Sequence, residues 1–248
     1  MRTIKLTLEY DGTDFVGWQV QPNGRSVQQV VEQALERMLK ERTPVVGAGR
    51  TDAGVHAAGQ VATLRTEKAV PLKAFVMGLN SLLPQDVAVL DAEEMPEGFH
   101  ARHSASGKRY EYRISNRPTR SPLLRRTHWE IYRPLDVAAM RAAAVHLLGE
   151  HDFSAFRAAD CPAKTTRRVL RRFDVEEEGE REILITVEAT AFLKHMVRNL
   201  VGTLAEVGLG RRDPESLPAL LASGDRTQAG PTAPPQGLTM AKVFYDPR

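Results

Sequence analysis

The stretch Gly47-Ala48-Gly49-Arg50-Thr51-Asp52-Ala53-Gly54-Val55-His56-Ala57-Ala58-Gly59-Gln60 gathers the residue types that reactions use. Its four glycines leave the backbone open to positive φ angles and to close approach by a ligand. Set among them are a cation, Arg50, a carboxylate two residues on, Asp52, and a histidine, His56. A guanidinium near Asp52 would hold it ionised, the state required of a nucleophile or a base. The same residues suit a plainer task, an Arg–Asp pair fastening a tight turn, and composition alone leaves both readings open. The spacing matches neither a GxxxxGK[ST] phosphate loop nor a dinucleotide fingerprint. A lone His56 with no second ligand at metal spacing gives no zinc pattern.

A second chemical signal is charge. The 248 residues carry 34 Lys and Arg against 31 Asp and Glu, a net charge of only +3. Between His100 and Arg172, however, 16 basic residues face 6 acidic ones, while the rest of the chain holds 18 against 25. Arginine predominates, 26 to 8 over lysine. A GC-rich genome raises Arg everywhere but does not concentrate it in one stretch. The planar guanidinium fork suits bidentate phosphate contacts and stacks on bases, so a polyanionic partner, nucleic acid above all, is expected.

These residues need elements to hold them. Ile4-Lys5-Leu6-Thr7-Leu8-Glu9-Tyr10 alternates with period two and predicts a half-buried strand, ended by Asp11-Gly12-Thr13-Asp14. Ser26 reads as an N-cap for a helix to about Lys40, with Val27, Val30, Val31, Ala34, Leu35, Met38 and Leu39 on its apolar face. A strand over 60–64 and a helix over 71–83 follow. Near residue 105 the pattern restarts: a strand over 108–114, an Ala-rich helix over 135–148 closed by Gly149, strands over 168–176 and 182–190, and an apolar helical face through Phe192, Leu193, Met196, Val197, Leu200, Val201 and Leu204. A Pro- and Gly-rich loop over 223–237 leads to a last strand over 238–245. Strand, helix, strands, helix in each half predicts an α+β fold with largely antiparallel sheets rather than a doubly wound parallel one. The expected domains are 1–105, carrying the Asp loop, and 106–248, carrying the basic tract and Tyr110.

Composition narrows the classes further. At 42% hydrophobic and 26% charged, the chain reads as globular. No stretch approaches the roughly 18 consecutive apolar residues of a membrane helix, and Met1-Arg2-Thr3-Ile4-Lys5 lacks a signal-peptide run. The single cysteine, Cys161, rules out an internal disulfide and argues against a thiolate metal site. A cytoplasmic protein is expected.

Gly49-Arg50-Thr51-Asp52-Ala53-Gly54-Val55-His56 resembles the signature of the TruA family of tRNA pseudouridine synthases. Tyr10-Asp11-Gly12 with Phe15-Val16-Gly17-Trp18-Gln19 and Val27-Gln28 is similar to that family's N-terminal segment, and Phe99-His100-Ala101-Arg102 with Lys108-Arg109-Tyr110-Glu111-Tyr112 to its second motif. Gly149-Glu150-His151-Asp152-Phe153-Ser154-Ala155-Phe156 and Phe192-Leu193-Lys194-His195-Met196-Val197-Arg198 resemble its third and fourth, and the ending Ala233-Pro234-Pro235-Gln236-Gly237-Leu238 fits too. The resemblance covers essentially the whole chain, in order.

That resemblance implies two similar subdomains joined around a central active-site cleft, the pseudouridine synthase fold. It implies conversion of uridine to pseudouridine at positions 38, 39 and 40 of the tRNA anticodon stem-loop, by cutting the N1–C1′ bond and rejoining the uracil through C5. No redox change or group transfer occurs, so neither cofactor nor metal is implied. Asp52 is then the nucleophile, at ribose C1′ or uracil C6 or in assisting departure of the base, and Arg50 and Arg198 are candidates to keep it charged. By the same resemblance Tyr110 is the active-site tyrosine, expected to stack on the extruded uracil and to relay the C5 proton. Tyr112 lies on the same strand face, and only the family pattern favours Tyr110 over it. Phosphate contacts are expected from Arg102, Lys108, Arg109, Arg113, Arg120, Arg125, Arg126, Arg167, Arg168, Arg171 and Arg172, repaying the cost of flipping the base. A homodimer sharing one tRNA is implied as well. Two other readings compete on the residues alone: a glycosidase or nucleoside hydrolase, which usually needs a second carboxylate that does not stand out, and an RNA-binding chaperone, which has no use for the Asp52 loop.

Overall fold

A computed structural model describes residues 1–245. The chain forms two compact units, the first of residues 1–106 with the segment from Thr239 on, the second Gly107–Leu238. In the first unit, β1 (Arg2–Tyr10) forms where apolar residues alternate, with Ile4, Leu6 and Leu8 fully buried. The helix α1 (Val27–Leu39) begins where Ser26 accepts a hydrogen bond from the Gln29 amide and stops where Lys40 turns left-handed at φ 59°. Its buried face is Val27, Val31, Ala34, Leu35 and Leu39, the predicted stripe with Val30 and Met38 only part-buried at its margins. The short β2 (Val46–Gly47) pairs antiparallel with β3 (His56–Thr66), which pairs antiparallel with β1. The helix α2 (Leu72–Asn80) lies beside β4 (Val87–Met95), the antiparallel partner of β1's other edge. Asn80 ties the two together, its amide donating to the Val89 carbonyl at 2.9 Å and its oxygen accepting from the Val89 amide at 2.7 Å.

The second unit opens with β5 (Gly107–Ser115), along which the short β6 (Trp129–Glu130) runs parallel. After α3 (Val137–Val145), the strands β7 (Gly149–Asp152), β8 (Arg167–Glu178) and β9 (Glu182–Ala189) set the antiparallel order β5-β9-β8-β7. The helices α4 (Met196–Gly208) and α5 (Leu217–Ser223) follow. α4 is buried nearly all round, with Leu200, Val201 and Leu204 fully enclosed.

The α+β class, with largely antiparallel strands, is what the order of elements predicts. Three particulars differ. The chain's last strand, Leu238–Phe244, does not stay with the second domain: Thr239 and Met240 pair in parallel with His56 and Ala57 of β3. A strand that returns after a long separation leaves no trace in local periodicity, which is why a division at 105 misses it; that division's far limit, residue 248, lies outside the described residues. The apolar pattern that runs back to Phe192 starts as a helix only at Met196, because His195 adopts φ 62°. Lastly, β2, β4, β6, β7 and α5 are absent from the sequence reading.

Candidate active site

The Asp52 loop sits in the first unit at the mouth of β3. Asp52 is half-buried and Arg50 exposed. The loop's backbone is closed onto the segment after β1 by two hydrogen bonds, Trp18 amide to Thr51 carbonyl at 3.1 Å and Gly54 amide to Phe15 carbonyl at 3.3 Å, and turns on itself through a third, Val55 amide to the Asp52 carbonyl at 3.1 Å. This approach is possible only because of two glycines. A Cβ on Gly17, whose φ is +110°, would lie 2.6 Å from the Thr51 carbonyl oxygen and 3.2 Å from the Asp52 carbonyl carbon; a Cβ on Gly12 would lie 2.0 Å from the Val55 carbonyl oxygen.

Beneath Asp52 runs a buried polar chain. The Tyr10 hydroxyl and Thr51 Oγ1 are 2.8 Å apart, and Gln60 Nε2 donates to the Gly49 carbonyl at 2.9 Å and reaches the Tyr10 hydroxyl at 3.4 Å. Burial pushes the Tyr10 hydroxyl up to about 12, against the pull of its hydrogen bonds to Thr51 and Gln60. His56 serves the scaffold. Its Nδ1 accepts from the Gly12 amide at 3.0 Å and lies 3.2 Å from Asp11 Oδ1. That carboxylate oxygen also accepts from the Thr13 amide and hydroxyl.

In the second unit, Tyr110 is 7% exposed on β5, opposite Val187 of β9. Its ring meets Phe192 edge-on, with centroids 5.0 Å apart at 83°. Tyr112, on the same face, is fully buried and committed elsewhere: its hydroxyl donates to the Pro234 carbonyl at 2.8 Å, and its ring leaves no room for a Cβ at Gly237. Burial pushes that hydroxyl far above its ordinary value, and the neighbouring Arg198 charge draws it partly back. Arg198, in the first turn of α4, donates from Nε to the Ala233 carbonyl at 2.7 Å, and the Ala233 amide returns a bond to the Arg198 carbonyl at 3.1 Å. Gly12, Gly17, Thr51, Gln60 and Phe192 thus enter as supporting residues to which motif spacing assigns no role.

The basic residues sort into three groups, ion-paired, enclosed and exposed. Arg109 pairs with Glu188 at 2.6 Å, Arg113 with Glu178, Arg167 with Glu150 at 3.0 Å and Arg172 with Asp174. Lys108 is buried, and Arg168 is part-buried, its Nη1 donating to the Arg167 carbonyl at 2.6 Å. Arg102, Arg120, Arg125, Arg126 and Arg171 are exposed. Among the described residues no three His, Cys, Asp or Glu gather as a metal ion requires, and no helix is long and apolar enough to cross a membrane.

A family model described as tRNA pseudouridine synthase matches residues 7–104 and 143–246. The chain is 62% identical to the tRNA pseudouridine synthase A of Myxococcus xanthus over 245 residues, 99% of this chain and 92% of that protein. It is 53% identical to the tRNA pseudouridine synthase A of Geotalea uraniireducens (strain Rf4), again over 99% of this chain and 100% of the relative. Among solved structures, a chain of the archaeal box H/ACA sRNP Nop10-Cbf5 complex matches 82% of this chain at 13% identity and a TM-score of 0.37; the match covers 44% of that longer chain.

Proposed function

The chain belongs to the tRNA pseudouridine synthase family, and we propose that it isomerises uridine to pseudouridine at positions 38, 39 and 40 of the tRNA anticodon stem-loop with Asp52 as nucleophile. In the overall reaction the N1–C1′ bond breaks, the uracil turns while bound, and a C5–C1′ bond forms. The hydrogen on C5 leaves as a proton and N1 gains one, so atoms and electrons balance without an external reagent, and the reaction calls for no cofactor.

The observation that carries this reading is the mounting of Asp52. The Thr51–Asp52 peptide lies against Gly17, and the Thr51 side chain next to Asp52 is tied to the buried Tyr10 and Gln60, which mounts a half-buried carboxylate on a rigid base. Arg50 and Arg198 are assigned to keep the carboxylate charged, and Tyr110 to stack on the flipped uracil and relay the C5 proton. The exposed arginines of the basic tract are assigned to phosphates of the stem-loop.

The test is tritium release from tRNA labelled with 5-³H-uridine. Release by the Asp52→Ala protein is expected to fall by about 10³-fold or more, since loss of a nucleophile is among the costliest single changes. Equal release from both proteins refutes the assignment. We further infer a homodimer working in the cytoplasm. Light scattering of the full chain should give twice the monomer mass, and a monomer mass at working concentration would refute it.

A further inference from the structure

We propose that Arg226 is a positioning residue for Arg198, acting through the loop that follows α5. The inference rests on the reading of Arg198 as an active-site residue. The loop over 225–237 has no strand or α-helix of its own to fix its course. It still carries the acceptor that holds Arg198, the Ala233 carbonyl, and the Ala233 amide that bonds the Arg198 carbonyl in return. That peptide therefore holds Arg198 at two points, side chain and backbone.

Arg226 sets where it goes. Its Nη1 donates to the carbonyls of Ala229 at 3.4 Å and Gly230 at 3.0 Å; its Nη2 donates to Asn199 Oδ1 and to Thr232 Oγ1, both at 3.1 Å. The Thr232 hydroxyl donates in turn to the same Asn199 oxygen at 2.6 Å. Asn199 is fully buried and neighbours Arg198 on α4, and its amide donates to the Phe156 carbonyl at 2.8 Å, which fixes which way its oxygen points. One planar fork therefore spans two loop carbonyls and two side-chain oxygens, a geometry a lysine cannot reproduce.

The loop also touches α4 without any side-chain cushion. A Cβ on Gly202 would lie 1.7 Å from the Pro231 carbonyl oxygen, one on Gly230 would lie 2.7 Å from the Thr203 Cα, and the Gly230 amide donates to Thr203 Oγ1 at 2.9 Å. With backbone against backbone, slack in the loop passes undiminished to Ala233. Misplacement of a reacting or charge-holding group by as little as about 1 Å can lower a rate by about 10²-fold.

The experiment measures tritium release in the steady state for Arg226→Ala, Arg226→Lys, Thr232→Val, Arg198→Ala and the Arg198→Ala/Arg226→Ala pair, with rates normalised to folded protein. Arg226→Ala is expected to lower kcat at least about tenfold while KM for tRNA stays within about twofold. Arg226→Lys should recover little of that loss. The double variant should be no slower than Arg198→Ala alone, because both changes disable one guanidinium. Thr232→Val keeps the side-chain shape and removes only the hydroxyl, so it decides the matter if Arg226→Ala does not fold: kcat down with KM unmoved supports the proposal. Wild-type kcat in Arg226→Ala and Thr232→Val beside a crippled Arg198→Ala overturns the positioning role and leaves the reading of Arg198 standing. Wild-type kcat in Arg198→Ala overturns both.

Discussion

The Tyr10 hydroxyl lies buried between Thr51 and Gln60, and its ionisation is correspondingly hard, raised to about 12. In the unfolded chain a tyrosine ionises near its ordinary value of about 10. The folded state therefore keeps its proton over a window where the unfolded state loses it, and the associated stability is complete below pH 10 and lost as pH climbs from 10 toward 12. The difference in melting temperature between wild type and Tyr10→Phe, followed from pH 8 to pH 12, should shrink across that window; a pH-independent difference would contradict the burial argument. Tyr110→Phe tests a different role, since it keeps the ring edge-on to Phe192 and removes only the hydroxyl. If that hydroxyl relays the C5 proton, tritium release should slow by about 10²-fold with tRNA affinity preserved. An unchanged rate would leave only the stacking role. At this scale the sequence is informative about residue type and poor at separating like from like. Asp52 stands out as a carboxylate among glycines, whereas Tyr110 and Tyr112 share a strand face. What distinguishes them is Pro234, far along the chain, whose carbonyl takes the Tyr112 hydroxyl.

Elements carry the site by holding short loops against one another, and Gly17 is where that is tightest. Its left-handed φ of +110° and the 2.6 Å that a Cβ would leave to Thr51 combine conformational strain with a backbone clash. Gly17→Ala should lower the unfolding free energy by about 2 kcal/mol or more, read as a shift of the urea midpoint. It should also depress kcat, because the added methyl pushes directly on the Thr51–Asp52 peptide. Wild-type stability and rate in this variant would mean that the loop is softer than its packing indicates. The elements that positional pattern reveals best are those with one wet and one dry face, such as β1 and α1. β4 is obscured because its outer half is acidic: Glu93 and Glu94 answer Lys5 and Arg2 of β1, and that complementarity exists only once the strands are paired. α4 extends falsely backward in the pattern because Leu193 is buried without being helical. The clamp of Arg226 on Asn199 joins residues 27 apart through a loop of irregular backbone, so no local period announces it.

Over the whole molecule the question is how a net charge of +3 serves a polyanionic substrate. The basic excess lies between His100 and Arg172, but the structure spends part of it internally. Arg109, Arg113, Arg167 and Arg172 each hold a carboxylate, so their charge is already matched before RNA arrives. Arg102, Arg120, Arg125 and Arg171 are among the exposed cations of the tract. If these meet phosphates, binding releases counterions in proportion to their number, and the logarithm of the tRNA affinity should fall against the logarithm of salt with a slope of about three to four. Replacing Arg125 or Arg171 with Ala should lower that slope by about one unit each and weaken binding to different tRNAs alike, because phosphates carry no sequence. Replacing Arg113 or Arg167 should leave the slope nearly unchanged while costing a little stability, since an exposed pair contributes up to about 1 kcal/mol. Affinity measured by filter binding or anisotropy from low to high salt separates these outcomes. A flat response in the wild type would remove the phosphate role from the tract altogether, and equal slope losses for paired and exposed arginines would show that the carboxylates give up their partners when RNA binds.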